Sequence, residues 1–172
     1  MKAVRAVAVA LALLIVGAAC NVPAPVQPPP PTSAPPAAGG PLRPDALPSA
    51  AVIRGRVYGL EVVRAGEPGY YKGLGERDAL PQDRGMLFLE SQDVATTFWM
   101  KGMRFPLDIV WIDWAGRIVH LERNVPHQPG APDNQLVIYR PASPARAVLE
   151  LNAGQADTYG FQVGDQALFI YD

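Results

Sequence analysis

Trp99, Lys101 and Asp108 bring an aromatic ring, an ammonium and a carboxylate close together in the chain, and Glu150 and Asn152 add a second carboxylate and an amide from a later segment. If the backbone around Trp99 is extended, alternation sends Trp99 and Lys101 to one side and Phe98 and Met100 to the other. An aromatic platform beside a cation and a carboxylate suits the stacking of a sugar or base and the binding of its hydroxyls. The same lysine–carboxylate pair, desolvated in a cleft, would have its pKa values displaced toward acid–base work. The commoner role for such a pair is structural. Lys101 and Asp108 can neutralise each other where the chain turns through Arg104-Phe105-Pro106, because buried charges must be paired whether or not they react. The residue types therefore admit a glycan-like small-ligand site, a hydrolase built on Lys101, Asp108 and Glu150, or a structural ion pair.

Other chemistries find less support. His120 and His127 are the only histidines and do not stand at metal-ligand spacing, so no metal site and no cofactor are expected. Ser143, between Ala142 and Pro144, lacks the surroundings of an activated nucleophile. Two of Asp108, Asp113 and Glu150 would have to lie ~5–10 Å apart to form a glycosidase pair, and spacing in the sequence does not place them. Asp113 fits better as a turn residue in Asp113-Trp114-Ala115-Gly116. Tyr70, Tyr71 and Trp114 fall in expected turns, where they either fold back as a lid or form an aromatic rim for a glycan or protein.

Cys20, the sole cysteine, follows Lys2, Arg5, an uncharged apolar run from Ala6 to Val16 and the small residues Gly17-Ala18-Ala19. That is the order of an export signal, and a small-residue stretch ending in cysteine resembles a bacterial lipobox, which implies lipidation of the Cys20 thiol. Eleven apolar residues fall short of the ~20 needed to span a bilayer. Residues 1–19 are thus expected to be a signal peptide and Cys20 the membrane attachment, on the periplasmic or cell-surface side. Residues 20–49 hold 11 of the 19 prolines with much Ala, Gly and Ser, a composition expected to form an extended disordered tether. Residues 50–172 are long enough for one domain with its own core. They carry 12 basic and 15 acidic side chains, so no basic face for nucleic acid is expected.

These candidate groups must be carried by the elements of that domain, and its periodicity reads as mainly β. About nine short apolar runs, rich in branched and aromatic residues, alternate with Gly, Pro, Asn and Asp clusters. They are Val52–Val57, Leu60–Arg64, Met86–Glu90, Thr96–Lys101, Leu107–Asp113, Arg117–Arg123, Gln135–Arg140, Arg146–Leu151 and Gln166–Tyr171. Leu107–Asp113 is apolar on both sides, as in a strand buried on both faces. In Arg146–Leu151, Ala147, Leu149 and Leu151 form the inward face. Glu76–Leu80 and Gln155–Tyr159 each allow one helical turn, the second stopped by Gly160. The expected fold is a compact, β-rich α+β domain, a barrel or sandwich with one or two short helices.

Five pieces occur in order: Gly85-Met86-Leu87-Phe88, Phe98-Trp99-Met100-Lys101, Pro106-Leu107-Asp108-Ile109, Ser143-Pro144-Ala145-Arg146 running on to Gly154, and Gly164-Asp165. This pattern, from about Val52 to Tyr171, resembles domain of unknown function family 192, a bacterial and archaeal family whose members often carry an export signal. The resemblance implies a compact β-rich fold and no particular reaction. Gly102-Met103 stands where that family usually has Asn-Thr, and Gly73-Leu74-Gly75 where it usually has Gly-Leu-Met. The combined expectation is a lipid-anchored extracytoplasmic binding or interaction module, with the membrane as one partner and a glycan or envelope protein as another. The alternative is the envelope hydrolase.

Overall fold

The computed structural model describes residues 39–172; the expected signal peptide, the expected attachment residue Cys20 and most of the expected tether lie outside the described residues. Seven strands form one mixed sheet: β1 (Ala50–Ile53), β2 (Arg56–Arg64), β3 (Arg84–Val94), β4 (Leu107–Ile112), β5 (Ile118–Val125), β6 (Ala145–Asn152) and β7 (Ala167–Ile170). Their order across the sheet is β5-β4-β6-β3-β2-β1-β7, antiparallel except for the parallel β2–β3 pair. The sheet curls into a half-barrel. Its two edges meet at one corner, where Arg117 bridges Gln166 and the Ala167 N–H donates to the Gly116 carbonyl.

The fold is mostly β, as the periodicity indicates, with three differences of detail. Val52–Val57 is not one strand but the tip of the β1–β2 hairpin, since Arg54 and Gly55 both have positive φ (48° and 79°). Two such residues make the tight turn whose twist matches the flanking strands, and β2 then runs on through the second expected strand, Leu60–Arg64. Thr96–Lys101 and Gln135–Arg140 are loops that touch through a single bridge, Phe98 to Tyr139. Glu76–Leu80 is not helical. The one α-helix among the described residues, α1 (Gln155–Tyr159), lies where the sequence places it, with Gly160 left-handed at its end. The Asp113–Gly116 turn also forms: Asp113 Oδ1 accepts the Arg117 N–H at 2.8 Å, and Gly116 has φ 84°.

Both faces of the sheet are covered. On one side Leu60, Leu87, Val110, Leu149 and Phe169 pack around Phe161 and α1. On the other, Met86, Phe88, Ile109, Trp111 and Val148 are covered by the loops that carry Leu74, Met100 and Met103. This explains why β4 is buried throughout, and why β6 is buried on the side of Val148 and Glu150 as well as on its expected inward face. Residues 39–49, expected to belong to the disordered tether, instead run alongside β7: Gly40 bridges Phe169, Leu42 joins the core, and the Arg43 N–H donates to the Tyr171 hydroxyl at 2.8 Å. Among the described residues no helix is long and apolar enough to cross a membrane.

Candidate functional site

A cleft of about 340 Å³ opens on the second of these faces. Its floor is sheet, from Phe88 on β3 and Glu150 on β6. One wall is the crossover 65–83, contributing Tyr70, Tyr71 and Leu74; the opposite wall is the Thr96–Met103 loop, contributing Trp99 and Lys101. The crossover exists because β2 and β3 are parallel, and parallel neighbours cannot be joined by a tight turn. The walls are tied to one another by the Glu76 N–H, which donates to the Gly102 carbonyl at 2.8 Å. The outer wall is pinned from behind by the mutual backbone bonds of Phe98 and Tyr139, at 3.0 and 2.8 Å.

The cleft is aromatic. Tyr71, Tyr70, Phe88 and Phe98 form a continuous edge-to-face run with centroid separations of 5.5, 5.6 and 5.0 Å, which Trp111 extends beneath the surface. Tyr70 is held in place because its hydroxyl donates to Glu90, which also accepts from Thr96 Oγ1 at 2.7 Å. Burial, and then that bond to a carboxylate, raises the Tyr70 pKa, so the phenol keeps its proton. Tyr71 is 85% exposed at the mouth, and Trp99 is 41% exposed across from it.

Glu150 is the anomaly. Alternation on β6 aims it to the same side as Val148, between Met86 and Ile109 of the neighbouring strands. It is 5% exposed, and its Oε2 is buried without a hydrogen-bond partner. Burial pushes the carboxyl up to about 8, against a smaller opposite pull from the Arg77 guanidinium. Arg77 is itself engaged, its two terminal nitrogens each 2.8 Å from an oxygen of Glu61. Space beside the carboxyl exists because residue 73 is glycine: a Cβ there would stand 3.0 Å from Phe88 Cζ and 3.8 Å from Glu150 Oε2.

The five residues singled out from the sequence divide. Trp99, Lys101 and Glu150 come together at the cleft. Lys101 extends its ammonium 5.6 Å from the Trp99 ring centre and pairs at 2.5 Å with Asp133, both partners largely exposed. The expected Lys101–Asp108 pair does not form. Asp108 is on the opposite face of the sheet, fully buried, accepting the backbone N–H groups of Asn124 and Ala156 at 2.7 Å each. A carboxylate is useful there because Ala156 is in the first turn of α1, where backbone donors have no helical partner. Asn152 donates to the carbonyls of Leu80 and Pro81 at 2.8 and 3.2 Å, fastening the end of the crossover to β6. Trp114 is away from the cleft, under Arg146, and His120 pairs with Glu122 at 3.1 Å on β5. Sequence reasoning missed Gly73; its meaning depends on Phe88 and Glu150, which are remote in the chain. Among the described residues no group of three or more His, Cys, Asp and Glu side chains is arranged to hold a metal ion.

The family model for DUF192, described as an uncharacterized ACR, matches residues 53–169. A crystal structure of a protein of unknown function from Novosphingobium aromaticivorans DSM 12444 is 29% identical with a TM-score of 0.61, covering 69% of this chain and 82% of that one. A second, from Sinorhizobium meliloti 1021 and described as a candidate transcription regulator, is 32% identical with a TM-score of 0.57, covering 70% of this chain and 90% of that one. No curated protein matches the chain. Two of the three positions at which the chain departs from the resembling pattern, Gly102 and Gly75, are neighbours in space: a Cβ on Gly102 would stand 3.9 Å from the Gly75 Cα. Both are slim, and together they let the two walls of the cleft approach.

Proposed function

The chain belongs to DUF192, and from that premise we propose that its domain is a binding module for a small ligand, held at the cell envelope by a lipid on Cys20. The observation that carries the binding half is Glu150: a buried carboxyl with an unpartnered oxygen on the floor of an aromatic-walled cleft. A buried polar group without a partner costs stability, and a ligand that satisfies it recovers that cost. Cleft size and lining are those of small-molecule sites, mostly apolar with few polar groups. The hydrolase built on three residues has no geometric support, because Asp108 lies across the sheet from Lys101 and Glu150. Likeness to a candidate transcription regulator does not change the proposal, since the domain carries 15 acidic against 12 basic side chains.

Thermal unfolding of the full chain against a library of small aromatic and heterocyclic compounds tests the binding half, because a ligand that binds the folded state raises the Tm. The expected result is a set of compounds whose shift is lost in Trp99→Ala; shifts unaffected by Trp99→Ala would place binding elsewhere and end the proposal. The envelope half rests on the order of residues around Cys20. Mass spectrometry of the membrane fraction should find Cys20 acylated, whereas an unmodified Cys20 in cytosolic protein would refute it.

A further inference from the structure

We propose that the ligand of this cleft is an amine: an organic monocation whose ammonium meets Glu150 and whose apolar body lies along the aromatic and aliphatic walls. The inference rests on the binding role proposed above and specifies its chemistry. Three observations lead to it. First, the charges around the floor are matched except one. Arg77 is paired with Glu61, Lys72 with Glu76 at 2.6 Å, Lys101 with Asp133, and Glu90 takes the hydroxyls of Tyr70 and Thr96, which leaves the carboxyl of Glu150 without a partner. Second, the wall already accepts a cation, since the Lys101 ammonium is within cation–π range of the Trp99 ring. Third, most of the polar lining is already engaged: Thr96 and Tyr70 are committed to Glu90, Lys72 to Glu76 and Lys101 to Asp133, which leaves Thr97 and the exposed Tyr71 beside Glu150, among the apolar Leu74, Phe88, Met103 and Ile138. A site for a sugar would need several side chains to satisfy its hydroxyls once water is removed. Gly73 leaves room for a headgroup next to the carboxyl.

The pairing implies a proton exchange. Glu150 holds its proton up to about pH 8 in the free protein. An ammonium beside it favours the charged carboxylate, so an amine that enters below that pH expels the carboxyl proton to solvent. No bond other than that O–H is broken. Affinity should therefore rise with pH, approaching tenfold per unit well below the carboxyl pKa, and level off above it.

Isothermal titration calorimetry of the full chain tests this with phenethylamine, with phenethyl alcohol as its neutral counterpart, and with 3-phenylpropanoate as the anion. Expected at about pH 8 is at least tenfold tighter binding of the amine than of either other probe, about 1.4 kcal/mol. Near pH 6–7, repetition in buffers of different ionisation enthalpy should show roughly one proton released per amine bound. Glu150→Gln should abolish both the preference and the proton release, so that the variant binds phenethylamine no tighter than phenethyl alcohol. Equal binding of amine and alcohol, or an amine preference that survives Glu150→Gln, overturns the inference and leaves the binding cleft standing. Failure of all three probes at concentrations up to about 10 mM, a limit on the order of −3 kcal/mol, overturns the cleft and the inference together.

Discussion

Asp108 and Lys101 carry opposite charges close together in the sequence, yet the sheet lies between them. Lys101 is half in water and bonded to an exposed Asp133, whereas Asp108 is buried and accepts the backbone N–H groups of Asn124 and Ala156. Exposed ion pairs contribute about 0–1 kcal/mol, while bonds to a charged acceptor are worth about 1.5–3 kcal/mol each and leave orphaned donors when removed. Lys101→Ala should therefore cost less than about 1 kcal/mol and Asp108→Ala on the order of 3 kcal/mol or more, read from urea midpoints. Equal costs would show that the carboxylate does not bind the start of α1 as described. The sequence revealed the grouping of Trp99, Lys101 and Glu150 through residue type alone. It could not reveal what Asp108 does, because the partners of Asp108 are main-chain atoms that only the fold brings near. Gly73 was illegible for the same reason: its value is a missing Cβ beside Glu150.

At the scale of elements, hydrophobic alternation located β3 to β7 within a few residues, and Gly160 marked the end of α1. It failed where tertiary contact decides. Arg54-Gly55 turns the chain inside an apolar run without the usual Asn-Gly or Asp-Gly signal. Thr96–Lys101 and Gln135–Arg140 have strand-like composition because they cover a sheet face and pair with each other once, not because they join the ladder. The 3-10 turn Asp133–Gln135 at the start of the second loop carries the Asp133 that holds Lys101. Closure of the half-barrel depends on Gly116, where a Cβ would be 2.6 Å from the Ala167 carbonyl oxygen and 2.5 Å from Gln166 Nε2, at a φ of 84°. Gly116→Ala should lower stability by about 1–3 kcal/mol, the range for overpacking a filled site. It should also speed amide exchange at Ile118 and Ala167, whose N–H groups bond across that corner. Unchanged Tm and exchange would mean that the corner does not close the sheet.

For the whole molecule, the stability curve with pH should carry the signature of one buried acid. Unfolded, Glu150 titrates near 4.5; folded, burial holds its proton to about 8. Below the lower value both states are protonated and nothing is lost. Between the two the unfolded state gives up its proton first, so stability falls as pH rises, and above the upper value the loss is complete. The full effect is on the order of 5 kcal/mol, at about 1.4 kcal/mol per pKa unit. Chemical denaturation of the parent across this interval should show the decline, and Glu150→Gln should flatten it. A parent curve that is level or rising through that window, once other carboxylates are accounted for by the variant, would mean that Glu150 is solvated.

The crossover 65–83 has two duties, since it joins β2 to β3 and also supplies one whole wall of the cleft. Leu74 and Leu80 anchor it over the sheet, while most of its other residues are exposed and none enters the strand ladder. Loops positioned on a rigid scaffold are where proteins vary specificity. Grafting the segment around Tyr70, Tyr71 and Gly73 from one relative to another should thus exchange what each molecule selects while strand register persists. In this architecture the connector that topology makes compulsory is also the part most open to change.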